Sequence, residues 1–154
     1  MSSILRISEA ASLALHTGVL LAEAERRLSA GQMARQMQVS EAHLAKVLQR
    51  LARAELVRSV RGPHGGFELA RPAAQITLQE LYEAVDGPLA SDECLMSTAR
   101  CNRDRCIFGS LLADVGRLVE EHFSRTRLSD LVEAVGVGSR PEPTNDEAHL
   151  NLWP

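Results

Sequence analysis

Ser29-Ala-Gly-Gln-Met-Ala-Arg-Gln-Met-Gln-Val-Ser-Glu-Ala-His-Leu-Ala-Lys-Val-Leu-Gln-Arg-Leu-Ala-Arg53 is the stretch that decides the fold. It reads as two short helices joined by a tight turn. Ser29 is placed to cap the first helix, Gln32 completes a capping box, and Leu28 with Met33 supplies a hydrophobic staple. That helix should run through Met37 and stop near Gln38. Val39-Ser40 makes the turn, Ser40 caps the second helix, and Glu41 complements its dipole. In the second helix Leu44, Val47, Leu48 and Leu51 have the spacing of a face packed on a core. Ala42, His43, Lys46, Gln49, Arg50 and Arg53 lie on the opposite face.

Beyond Leu56, two short alternating runs, 57–60 and 67–70, flank Arg61-Gly-Pro-His-Gly-Gly66. This predicts a hairpin whose glycine-rich tip permits a tight turn. Between Arg35 and Arg71 there are seven Lys or Arg against three Glu, a local charge of +4 in a chain of −3. A helix-turn-helix beside a basic hairpin is an arrangement for docking on DNA. The plainer alternative is a helical hairpin with a solvated basic face. Agreement among caps, turn, stripe and hairpin favours DNA over it.

The 154 residues allow one core, or one domain with a helical arm. Aromatic residues make up 3%, too few for the stacking platforms that bind single strands or RNA. Neither a secretory leader nor a bilayer-spanning run is apparent, so no membrane association is expected. An odd, clustered set of three cysteines suits a reducing cytoplasm and a ligand set better than a disulfide framework.

Working outward, residues 4–26 read as a first helix, with Ile4, Ile7, Ala11, Ala14, Leu15, Val19 and Ala22 on a broad apolar face. After the hairpin, Thr77 and Glu80 form a second capping box, with Ile76 and Leu81 as staple. Leu78, Leu81, Tyr82 and Val85 give that helix its buried side, and Gly87-Pro88 ends it. From Cys106 a long helix is expected. Ile107, Phe108, Leu111, Leu112, Val115, Leu118, Val119 and His122 recur with a period of about 3.5. Pairing with the same helix of a second subunit would cover this seam, and the alternative is packing on the chain's own first helix. A dimer also suits DNA, since two-fold proteins present two recognition helices a turn apart. Leu128, Leu131, Val132 and Val135 suggest a last short helix ended by Gly136 and Gly138. The tail 139–154 is acidic, proline-containing and aperiodic, which predicts mobility.

Cys94, Cys101 and Cys106 are spaced Cys-x6-Cys-x4-Cys on the loop before the long helix. Three thiols this close can converge on one inorganic centre. An iron–sulfur cluster is one reading, because soft thiolates suit iron and nearby arginines lower thiol pKa. Zinc is another, although the short Cys-x2-Cys knuckles of structural zinc sites are missing. A thiol switch without metal and simple packing remain open. No histidine lies between Cys94 and Cys106, and His122 is about 24 Å up the helix at the usual rise, so the fourth ligand must come from elsewhere.

Leu56-Val-Arg-Ser-Val-Arg-Gly-Pro-His-Gly-Gly-Phe-Glu-Leu-Ala-Arg71 and Ile76-Thr-Leu-Gln-Glu-Leu-Tyr-Glu-Ala-Val85 resemble the Rrf-type winged-helix regulators, the bacterial family of IscR and NsrR. The resemblance spans residues 4 to about 135. It implies a homodimer that binds a double-stranded DNA operator through a recognition helix and wing. It also implies three cysteines holding a 2Fe–2S or 4Fe–4S cluster. Some members add an acidic ligand from the first helix of the other subunit, and Ile7-Ser-Glu-Ala-Ala11 looks like that position, which makes Glu9 the candidate. Members with a histidine just after the third cysteine are not matched here.

The expected fold is mainly α, a winged helix-turn-helix with a two-stranded wing and a long dimerisation helix. Its expected divisions are 1–88 for the DNA-binding domain, 89–105 for the cysteine loop, 106–135 for the dimerisation and terminal helices, and 136–154 for the tail. Expected metal ligands are Cys94, Cys101, Cys106 and Glu9. Expected DNA contacts are Ser40, Glu41, Ala42, His43, Lys46, Arg50, Arg53, Arg58, Arg61 and His64. The expected function is transcriptional regulation responding to redox, nitric oxide or iron–sulfur status. One alternative is the same repressor sensing a metabolite or thiol oxidation without a cluster. The other is a small iron–sulfur redox protein, but no nucleotide loop or acid–base pair points to an enzyme.

Overall fold

The computed structural model describes residues 7–24, 26–63, 65–89 and 110–136. Along the chain come α1 (Glu9–Ala24), α2 (Ala30–Met37), α3 (Glu41–Arg53), β1 (Val57–Val60) and β2 (Gly66–Leu69). A 3-10 turn (Ala73–Gln75), α4 (Leu78–Asp86), α5 (Leu111–Arg125) and α6 (Leu128–Gly136) follow. The fold is mainly α with a two-stranded antiparallel wing, as its sequence predicts.

Helix α1 is the central element. It packs on α3, α4, α6 and the wing, and buries Ala11, Leu13, Ala14, Thr17, Gly18 and Leu21. The expected helix from residue 4 to 26 is corrected: among the described residues it begins at Glu9 and ends at Ala24. Ser8 stops it at the front, because its hydroxyl accepts the Ala11 backbone N–H at 3.0 Å. Ile7 lies outside the helix and is 41% exposed, so it does not belong to the buried face. The expected face holds in part, with Ala11 and Ala14 fully buried. Leu15, Val19 and Ala22 pack on the core half-buried, and Leu13 and Leu21, not expected there, are buried beside them. Apolar residues occur almost all round α1, so periodicity alone does not choose a side.

The side is chosen at Gly18. A Cβ there would lie 2.7 Å from Leu81 Cδ1 and 3.2 Å from Leu128 Cδ2. α1 therefore crosses α4 and α6 closely, with the Leu81 and Leu128 side chains packed directly over the glycine. At the preceding position, Thr17 is fully buried and its hydroxyl has no hydrogen-bond partner among the described residues. A buried, unpaired hydroxyl destabilises the fold. Thr17→Val keeps the shape and should raise stability by about 1–2 kcal/mol, read as a higher urea midpoint at unchanged slope.

Both capping boxes are present. Ser29 Oγ accepts the Gln32 N–H at 3.1 Å while Gln32 Oε1 accepts the Ser29 N–H at 2.8 Å. Thr77 and Glu80 make the same reciprocal pair at 3.2 and 2.9 Å. Burial alone would raise the Glu80 carboxyl, but the Arg71 guanidinium and the Thr77 N–H outweigh it and hold it below the usual range. Glu80 therefore stays ionised as a cap down to lower pH than a free carboxylate.

The wing is wider than the sequence suggests. β1 and β2 pair in the register Val57↔Leu69, Arg58↔Glu68, Ser59↔Phe67 and Val60↔Gly66. Leu28, in the α1–α2 connection, adds a single antiparallel bridge on the far side of β2. Its N–H donates to Phe67 O at 3.0 Å and its carbonyl accepts from Phe67 N at 2.8 Å. Gly66 makes this possible, since a Cβ there would stand 2.8 Å from Leu28 O.

Helix α5 packs on α4, where Tyr82 and Phe123 meet edge to face with centroids 5.8 Å apart. Phe123 is buried, but Leu111 and Leu118 are 55% and 65% exposed. The expected start at Cys106 falls outside the described residues, and the described helix begins at Leu111. The connection into α6 returns to α4. Leu78 N donates to Thr126 O at 3.1 Å and Leu128 N to Ile76 O at 3.0 Å, clasping the starts of α4 and α6 together. The expected tail 139–154 lies outside the described residues. No described helix is long and apolar enough to cross a membrane.

Candidate nucleic-acid interface

The second helix of the helix-turn-helix, α3, is built as its spacing requires. Leu44, Val47, Leu48 and Leu51 are all buried, each contributing about 1.5–3 kcal/mol by leaving water. This fixes the opposite face outward: Ala42, Lys46, Gln49, Arg50 and Arg53 are exposed and His43 is half-buried. Ser40 Oγ faces the His43 N–H at 3.5 Å, and Glu41 occupies the first turn. Ser40, Glu41, Ala42, His43 and Lys46 thus cluster at the N-terminal end of α3, with Arg50 and Arg53 in its last turn.

Two of these side chains have partners that the sequence did not reveal. Arg50 Nη1 donates to Val85 O at 2.8 Å, which ties α3 to the last turn of α4. Cationic nitrogen at a helix C-terminus is favourable there, and one guanidinium edge is thereby engaged within the protein. His43 Nδ1 lies 3.4 Å from Glu9 Oε1. A residue read as a base contact therefore stands beside the residue read as a metal ligand. Glu9 itself is 73% exposed at its side chain.

On the wing, Arg58 is exposed and bonded to Glu68, and Arg61 is exposed just after β1. Arg27 bonds the other oxygen of Glu68. Hydrogen bonds from Arg27 and then Arg58 hold the Glu68 carboxyl below the usual carboxylate range. Neither Arg27 nor Glu68 figured among the expected contacts, because their meeting depends on the Leu28–Phe67 bridge. His64, at the wing tip, lies outside the described residues, as do Cys94, Cys101 and Cys106. Among the described residues no three His, Cys, Asp or Glu side chains gather as a metal site.

The end of α4 is where these parts meet. Ser8 Oγ donates to Asp86 Oδ1 at 2.7 Å, joining the start of α1 to α4 beside the Arg50–Val85 bond. Three residues after Asp86 the described chain stops at Leu89, before the cysteine loop.

The profile of the Rrf2 iron-dependent transcriptional regulators matches residues 7–134. The chain belongs to the Rrf2 family. It is 32% identical over 123 residues to the HTH-type transcriptional regulator IscR of Sodalis glossinidius, covering 78% of this chain and 69% of that protein. The structure of CymR, described as the global cysteine regulator of B. subtilis, superposes with a TM-score of 0.71 at 27% identity. That match covers 85% of this chain and 98% of CymR. The structure of T. potens IscR matches with a TM-score of 0.68 at 25% identity over 86% of this chain and 89% of that one. Winged-helix architecture and a role in transcriptional regulation, not enzymatic catalysis, follow from this membership.

Proposed function

We propose that this Rrf2-family regulator is a homodimer that reads an operator and whose affinity is set by an iron–sulfur cluster on the cysteine loop. The observation that carries the DNA part is the outward face of α3, exposed at Ala42, Lys46, Gln49 and Arg53 beside the wing's Arg61. His43 and Lys46 meet base edges in the major groove, with Ser40, Glu41 and Ala42 lining the same end. Arg53 and the free edge of Arg50 grip phosphate, and Arg58, Arg61 and His64 reach the adjacent backbone or minor groove. On this reading the chain divides into head (1–88), cysteine loop (89–105), dimer stalk (106–135) and tail (136–154), and works in the cytoplasm.

Cys94, Cys101 and Cys106 supply three soft donors suited to iron, and Glu9 supplies a fourth, harder one. Glu9, offered to the cluster of the other subunit, fits as a donor in one respect: it is exposed, at the start of α1. A bound cluster would supply reactivity toward oxygen, peroxide and nitric oxide. What this chain's residues do is pass the state of the loop to α3. The Ser8–Asp86 and Arg50–Val85 bonds attach both α1 and α3 to the last turn of α4. A shift of that turn moves the recognition helix, and the difference in DNA affinity between the two placements is the switch.

Likeness to CymR favours a second reading, in which the three thiols respond to oxidation without metal. Iron and sulfide counts on anaerobically purified protein separate the two, together with operator binding measured before and after oxidation. The first reading expects coloured protein, bleached by Cys101→Ala, with iron and sulfide present in comparable amounts. Colourless, iron-free protein whose DNA binding still responds to oxidation would establish the second. Binding indifferent to DNA sequence and to Arg61→Ala would overturn operator reading itself.

A further inference from the structure

Glu68 sits in the middle of the wing ribbon with an arginine on each side. Arg58 faces it across the β1–β2 rung, and Arg27 adjoins the Leu28 bridge on the other edge. Both bonds use the same atom of the guanidinium: Arg58 Nε meets Glu68 Oε1 at 2.6 Å and Arg27 Nε meets Oε2 at 2.9 Å. Among the described residues, the terminal Nη atoms of both forks meet no hydrogen-bond partner. The arginine side chains are 64% and 45% exposed, whereas Glu68 is 21% exposed. The carboxylate is thus held between two guanidinium groups whose side chains are more exposed than its own. Beside it lies a cleft of about 440 Å³ whose wall includes Arg26, Arg58, Glu68 and Arg71.

We infer that Arg27 and Arg58 form a two-pronged seat for a DNA backbone phosphate at the root of the wing, and that Glu68 is its positioning residue. This rests on the DNA-binding reading above. Arg and phosphate pair through parallel N–H donors, so a fork held by Nε with its Nη edge free is oriented for that contact. Holding both forks in advance removes the cost of ordering them when DNA arrives. Both Glu68 oxygens are already engaged by the arginines and its side chain is less exposed than theirs, so it orients the forks while they face the phosphate.

The test is fluorescence-anisotropy titration of a duplex operator fragment across chloride concentrations, using the full chain. Arg27→Gln and Arg58→Gln should each make the slope of log K against log salt shallower by about 0.9, the change for one phosphate contact. Glu68→Gln keeps both cations and should leave the slope unchanged while weakening binding roughly tenfold, because two side chains must then be ordered on binding. A tighter complex with a steeper slope in Glu68→Gln would mean that the carboxylate withholds the arginines, and would overturn the proposal. So would an unchanged slope in both arginine variants. Glu68→Asp, and thermal melts of every variant, separate lost orientation from a lost fold: a variant that melts as wild type and still binds weakly supports the seat, whereas weakening only in variants that melt earlier refutes it. Wild-type protein that binds no duplex at any salt would refute the DNA reading instead. Inorganic phosphate added at constant ionic strength should compete weakly if the seat also takes the free ion, and the slopes of the variants assign it to the backbone.

Discussion

Gly18→Val is expected to lower the stability of the fold by about 3 kcal/mol, the upper part of the range for forcing extra atoms into a packed core. The first added atom already stands 2.7 Å from Leu81 Cδ1, and two more contacts, to both Leu128 methyls, lie at 3.2 and 3.3 Å. Leu81 and Leu128 are each 0% exposed, so neither can swing aside into solvent. Valine then adds two methyls with little choice of rotamer in a helix. Relief requires α1 to move off α4 and α6 together, which would disturb the support of both the recognition helix and the stalk. Gly31→Ala is the internal comparison. Its nearest neighbour is the carboxylate of Glu41, an exposed and movable group 3.2 Å away, so that substitution should be neutral or gain up to about 1 kcal/mol from helix propensity. Urea unfolding followed by circular dichroism reads both. Equal stability of the two variants would contradict the close crossing of α1.

Leu118→Glu is expected to leave the head folded, convert the proposed dimer to a monomer and reduce operator affinity at least a hundredfold. Leu118 is 65% exposed and Leu111, seven residues earlier on α5, is 55% exposed, so neither supports the chain's own core. The helix is held from the other side by Phe123 against Tyr82. A carboxylate at Leu118 would be buried without a partner in the paired state, which the pairing cannot absorb. Two half-sites bound by one linked pair gain on the order of 10²–10⁴ in avidity over separate monomers, and that gain is what disappears. Light scattering and anisotropy on the same sample check both parts. A substitution at the exposed Glu120 should change neither. Persistence of the dimer in Leu118→Glu would locate the interface elsewhere.

Features written over a few neighbouring residues were legible in the sequence. Both capping boxes, the Leu44–Leu51 stripe, the turn at Val39-Ser40 and the wing hairpin follow from local chemistry, and each stands where that chemistry placed it. The start of α1 was also written locally, in the hydroxyl of Ser8, but the apolar run around it masked the signal. What the sequence withheld depends on partners far along the chain. Leu28 gives no sign that its backbone will extend the wing, nor Arg50 that it will reach a carbonyl of α4. Glu68 looks like an isolated acid in a basic segment until the bridge brings Arg27 to it. Side-chain pattern reports which face is buried, whereas backbone pairing between distant segments leaves almost no trace in residue type.

The clasp between Ile76–Leu78 and Thr126–Leu128 gives the chain a closed circuit. Among the described residues α4 is held at both ends, by Thr126 and Leu128 at its start and by Ser8 and Arg50 at its last turn. In the dimer proposed above, a force on α5 would reach α4 through those two backbone bonds and would turn α3, fastened to α4 by Arg50, with it.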